Sequence, residues 1–97
     1  MPSSGFIHTV SIAAPSSDET FHANFSTRGV SALNESSGVI VNETRAVIQA
    51  IDSALIRRID EDYVLEVGGS YYGVTDNTPH NTDPNLRNIF ATRVPRP

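Results

Sequence analysis

The sequence predicts an α+β fold, an antiparallel sheet of about four to five strands with one long amphipathic helix packed on one face. Three observations predict it. Two stretches near the N-terminus alternate apolar and polar residues. A long stretch, Asn42–Asp60, places apolar residues at helical spacing. Two β-rich runs further on are joined by Gly68-Gly69.

Phe6–Ala14 sets Phe6, His8, Val10, Ile12 and Ala14 on one face and Ile7, Thr9, Ser11 and Ala13 on the other, the period of a strand. Pro15 ends it because proline cannot donate to a ladder. Ser16-Ser17-Asp18-Glu19 supplies turn chemistry. Thr20–Thr27 alternates again, with Phe21, Ala23 and Phe25 against His22, Asn24 and Ser26. Pairing Ile12 with Phe21 and Val10 with Ala23 puts both apolar sets on one face. A one-residue slip would lose that face. Arg28–Ser37 shows no period and reads as a loose connection, and Gly38–Val41 reads as a short strand.

Asn42–Asp60 reads as the helix. Asn42 is a good N-cap, Glu43 suits the first turn, and Arg57 and Arg58 suit the last. Ile48, Ile51, Leu55 and Ile59 form the apolar stripe, widened by Val47, Ala50 and Ala54. Val64–Val67 and Ser70–Val74 then read as a hairpin, because two glycines supply the positive φ angles of a type I′ turn. That turn sets Val67 opposite Ser70, Leu65 opposite Tyr72 and Tyr63 opposite Val74. Asp76–Asn85 reads as a polar loop and Asn88–Arg93 as a last strand. One helix covers only part of such a sheet, and the uncovered remainder predicts a partner or self-association.

The 97 residues allow one domain, 1–97, with extended arms at 1–5 and 94–97. Leu, Ile, Val and Phe make up 25 of them, above the fraction of roughly 20% at which disorder is favoured. With no cysteine, disulfide scaffolds, thiolate metal sites and thiol nucleophiles are excluded. The net charge is −4, and all seven basic residues are arginines, scattered apart from Arg57-Arg58. That distribution argues against nucleic acid as a partner. No apolar run is long enough to cross a bilayer as a helix, and the N-terminus lacks the basic start of a signal peptide. The expected setting is a virion or the cytoplasm, without a membrane.

No catalytic constellation stands out. His8 and His22 fall on opposite faces, so they cannot share a metal. Asn81–Asn85 has the alternate oxygens of a calcium loop but lacks the glycine that such a loop turns on. Serines lack a nucleophile elbow. The sequence therefore predicts no enzyme, no cofactor and no metal. Its candidate interaction residues are Tyr71, whose face the core does not need, the acidic group Asp60, Glu61 and Asp62, and Pro95 and Arg96 of the C-terminal arm. Tyrosine is favoured at binding surfaces because one end is apolar and the other polar. Free termini fray unless something ties them down, so neighbours are expected to hold the arms. The expected function is structural: an assembly protein, such as a small accessory component of a virus or phage particle, whose partners are other subunits, its own copies or a larger assembly. The alternative is a small protein-binding module or phage-type inhibitor that presents the acidic group with Tyr71.

Overall fold

The computed structural model describes residues 8–34 and 38–97. The α+β expectation is overturned. The chain is almost entirely β, a closed six-stranded antiparallel barrel with one short helix. Its elements are β1 (His8–Ala14), β2 (Thr20–Asn34), β3 (Val39–Ile51), α1 (Ala54–Arg58), β4 (Val64–Val67), β5 (Ser70–Pro79) and β6 (Leu86–Val94). Around the barrel the order is β1-β2-β3-β6-β5-β4, and β4 closes on β1. No open sheet face remains for a helix to cover.

The long helix fails because its residues prefer an extended chain. Seven of the thirteen residues in β3 are β-branched (Val39, Ile40, Val41, Thr44, Val47, Ile48, Ile51), and branching at Cβ crowds a helix but suits a pleated strand. The true period is two. Ala46, Ile48 and Ala50 are buried at 0–1% exposure while Ile51, a member of the supposed helical stripe, is 57% exposed. Asn42 caps nothing and instead accepts a hydrogen bond from Ser31 Oγ across the strand pair, at 2.9 Å. The helix that does form starts later. Ser53 is its N-cap and accepts from Ile56 N at 3.2 Å. Arg57 and Arg58 occupy its last turn, as the sequence suggested.

Other elements follow the sequence more closely. Gly68 and Gly69 adopt φ of 59° and 85°, and the hairpin pairs Val67 with Ser70 and Leu65 with Tyr72. Val74 N donates to Tyr63 O at 3.0 Å, extending the expected pairing. β1 and β2 pair antiparallel, but in a register two residues from the expected one: Val10 faces Phe21 and His8 faces Ala23. An even shift keeps the same side chains inside. β1 pairs on its other edge with β4, where Ile12 and Ala14 face Leu65 and Val64. β2 runs on through the stretch that read as loose. β5 runs through Pro79, so only His80–Asn85 of the expected polar loop is a loop. That loop is held by its own groups: Thr82 N and Asp83 N both donate to the Nδ1 lone pair of His80, at 3.1 and 3.0 Å.

The barrel interior holds Val10, Ile12, Ala23, Ile48, Leu65, Tyr72, Val74 and Ile89 with their alanine neighbours. β3 and β4 are not adjacent, so the chain between them crosses one mouth of the barrel. α1 fills that mouth with Ile56 and Ile59, each 2% exposed. Asn77 of β5 pins it there. Its Nδ2 donates to Ile56 O and Ile59 O, both at 2.8 Å, and its Oδ1 accepts from Arg87 Nε at 3.0 Å.

Two outcomes are expected. Ile48→Ala lowers the unfolding free energy by about 2–5 kcal/mol in a urea titration, since the tight interior cannot collapse onto the hole. Asn77→Ala leaves Ile59 O without its side-chain donor, removes one of the two donors to Ile56 O and the acceptor of Arg87 Nε, costs about 1–3 kcal/mol, and speeds amide exchange in residues 53–60 ahead of the strands.

Candidate interaction surface

The two longest strands outrun the barrel. β2 and β3 pair from Asn24↔Gln49 to Asn34↔Val39. Among the described residues, β1 accompanies β2 only as far as Ala23, and β6 accompanies β3 only from Arg45. Among the described residues, no strand pairs with the outer edge of Arg28–Asn34 or of Val39–Thr44. The ribbon therefore leaves the barrel as an arm, about 20 Å long from Arg28 to Asn34 at strand rise. The molecule measures 41 Å along its longest axis against 31 and 24 Å across. Gly38, at φ 71°, turns the chain back at the tip.

Where the arm departs, the barrel's outer wall forms clefts. One of about 590 Å³ is lined by Arg28 and Val30 of β2, Arg45 and Val47 of β3, and Phe90 of β6. Outward position follows from alternation, since Ala46, Ile48, Ile89 and Ala91 point inside. Phe90 is 36% exposed. Arg28 and Arg45 are exposed and directly opposite in the β2–β3 register. Like charges in that relation repel. Glu43 supplies the only acid that meets either of them among the described residues, at 3.4 Å from Arg45 Nε.

A second cleft, of about 780 Å³, lies on the arm's other flank. It brings together three of the residues chosen from sequence: Tyr71, Pro95 and Arg96, with Asn42 and Glu43 of the arm facing them. Tyr71 is half-buried between Glu66 and Val94 on the neighbouring strands. Pro95 and Arg96 are exposed, while Val94, expected in the tail, belongs to β6. The arm expected at 1–5 lies outside the described residues.

The acidic group sits elsewhere. Asp60 and Glu61 line a cleft of about 300 Å³ with Arg57 and Arg87, below the helix that closes the other mouth. Asp60 Oδ1 accepts from Asp62 N at 2.9 Å, which makes the turn. Asp60, Glu61 and Asp62 are all exposed. Tyr71 and the acidic group thus do not share a cleft. The neighbouring pair is tighter: Arg57 Nε and Nη2 donate to the two Asp52 oxygens at 2.9 and 2.6 Å. These hydrogen bonds hold the Asp52 carboxyl below its ordinary 3.8, against partial desolvation and with help from the charges of Arg57 and Arg87.

His8 packs edge-on against Phe25, with ring centroids 5.5 Å apart, and His22 meets Thr9. Among the described residues, no group of three or more His, Asp or Glu is placed to hold a metal ion. No helix among them is long and apolar enough to cross a membrane. The chain matches no family model, and no curated protein is a relative by sequence.

The arm is the feature that sequence reading missed. Its signal was the β-branched run Val39-Ile40-Val41 and the alternation that continues to Ile51.

The Asp52–Arg57 pair gives a pH-dependent outcome. A carboxylate whose folded pKa is depressed adds stability that is complete above its unfolded value and is lost as pH falls through the folded one. Arg57→Gln therefore melts below the wild type at neutral pH, and the gap narrows as pH drops below 3.8. A gap that ignores pH in thermal melts would contradict the assignment.

Proposed function

We propose that this chain is a structural assembly subunit, a small accessory component of a symmetric assembly, whose β-ribbon arm makes contacts with other protein subunits. The arm carries the reading. Two strands held only to each other are marginal in water, and open strand edges are templates for pairing with another chain. From Gly29↔Thr44 to Asn34↔Val39 the ribbon has no barrel strand beside it among the described residues. Its last three rungs pair Ala32 with Val41, Leu33 with Ile40 and Asn34 with Val39, and all but Asn34 are apolar residue types. A ribbon of that composition reaching past a closed barrel is suited to a neighbour's surface.

The second reading, a binding module that presents Asp60, Glu61 and Asp62 with Tyr71, gains no support from the placement of those residues in separate clefts.

The test is the solution mass. The full chain should show a mass above 10.5 kDa that rises with concentration in light scattering. A variant with residues 31–41 replaced by an Asn-Gly turn should stay monomeric and keep the β-sheet circular dichroism, because the core residues Val10, Ile48, Leu65 and Ile89 are retained. A monomer at every concentration, or an armless chain that assembles equally well, sinks the proposal.

A further inference from the structure

The molecule is electrically lopsided. The β1–β2 turn, residues 52–62, Asp76, the β5–β6 loop and the start of β6 at Arg87 hold eight of the eleven acidic residues against three arginines, a net −5. The arm and the strand ends beside it hold the other four arginines, Arg28, Arg45, Arg93 and Arg96, against Glu43 and Glu66 among the described residues. At the acidic end, Arg57 and Arg58 are engaged by Asp52 and Glu19, at 2.6 and 2.8 Å. Asp60, Glu61 and Asp62 meet no arginine within ion-pair distance among the described residues.

At the arm end, the cleft beside Phe90 carries an unfavourable feature. Arg28 and Arg45 stand opposite each other in a cleft that Val30, Val47 and Phe90 line with Glu43; Glu43 meets Arg45 at 3.4 Å and leaves Arg28 without an acid among the described residues. Repulsion across such a pair is relieved by an anionic group set between the two guanidiniums, and the forked donors of arginine suit a carboxylate. The cleft is thus a receptor for carboxylates with some apolar contact beside them. The same chain displays such a group, exposed and without arginine partners, at its other end.

We propose that copies of this chain join by a heterologous contact, in which the Arg28–Arg45 cleft of one copy receives the acidic turn Asp60-Glu61-Asp62 of the next. This rests on the assembly reading above and names its interface. A contact between two different patches repeats from copy to copy, closing into a ring or continuing as a helical stack. It weakens with salt, because both patches are exposed.

Charge reversal tests it by complementation. Arg28→Glu/Arg45→Glu makes both patches negative, and Asp60→Lys/Glu61→Lys/Asp62→Lys makes both positive. Each variant should lose association by about tenfold or more while keeping the wild-type melting profile, since like charges across an interface are strongly unfavourable. An equimolar mixture should recover the wild-type mass, because each cleft now faces an opposite turn. Salt at about 0.5 M should dissociate the wild type. A wild type that assembles while both variants assemble unchanged, or a mixture that stays monomeric, overturns the contact and leaves the assembly reading standing. A wild type that is monomeric throughout overturns both. A monomeric wild type that binds a polyglutamate peptide through Arg28 and Arg45 assigns the cleft to a foreign acidic partner, and that too overturns the proposal.

Discussion

The bore of a six-stranded barrel is the constraint on which the rest depends. Barrel diameter grows with strand number, and about eight strands leave room just sufficient for side chains. Six leave less. The inward positions answer by mixing sizes: Ala46 and Ala50 flank Ile48 on β3, Ala91 follows Ile89 on β6, and Ala23 lies on β2. Alanine on one strand makes room for isoleucine, leucine or Tyr72 from another. These alanines are therefore packing residues whose small size is the point, and their number explains why so modest an apolar content still fills a core.

A narrow barrel is closed laterally but open at its mouths. One mouth is stopped by α1, and the device is asymmetric. Ile56 and Ile59 enter the bore, while Asn77 binds the carbonyls of Ile56 and Ile59 and is itself held by Arg87. Five helical residues are too few to be stable by themselves. Their geometry is set by Ser53 at one end and Asn77 at the other. The acidic turn follows directly, so its placement is inherited from the plug. Among the described residues nothing equivalent constrains β2 and β3 at the other mouth, where they run on as the arm.

This division explains what could be read in the sequence. Gly68-Gly69 is a local signal that dictates a local structure, and the pairing of Val67 with Ser70 and Leu65 with Tyr72 came out residue by residue. The faces of β1 and β2 were legible because alternation is local. Their register was not, because an even shift leaves the same faces inside and alternation cannot tell the two apart. β3 was misread because alanines are neutral between periods. With Ala46, Ala50 and Ala54 admitted to an apolar stripe, Ile48, Ile51, Leu55 and Ile59 fit a helix. Only the exposure of Ile51 in the folded chain separates the two patterns. Of the candidate surface, Tyr71, Pro95 and Arg96 converge as one cleft, but the charge pair Arg28 and Arg45 needed the β2–β3 register to be seen.

Closure also bears on how the chain avoids uncontrolled association. A barrel removes sheet edges, and edges are where chains pair indiscriminately. In this molecule the arm carries ladder edges left free among the described residues. Strand-to-strand association through that ribbon meets Arg28, Arg45 and Glu43 at its base. Charges on an edge oppose nonspecific pairing, since an incoming apolar strand would have to desolvate them. A partner bearing carboxylates offsets that penalty by pairing with them. The same arginines that weaken the isolated arm thus select what docks there, and a net charge of −4 conceals this because the acids that would balance them lie mostly at the opposite end of the barrel.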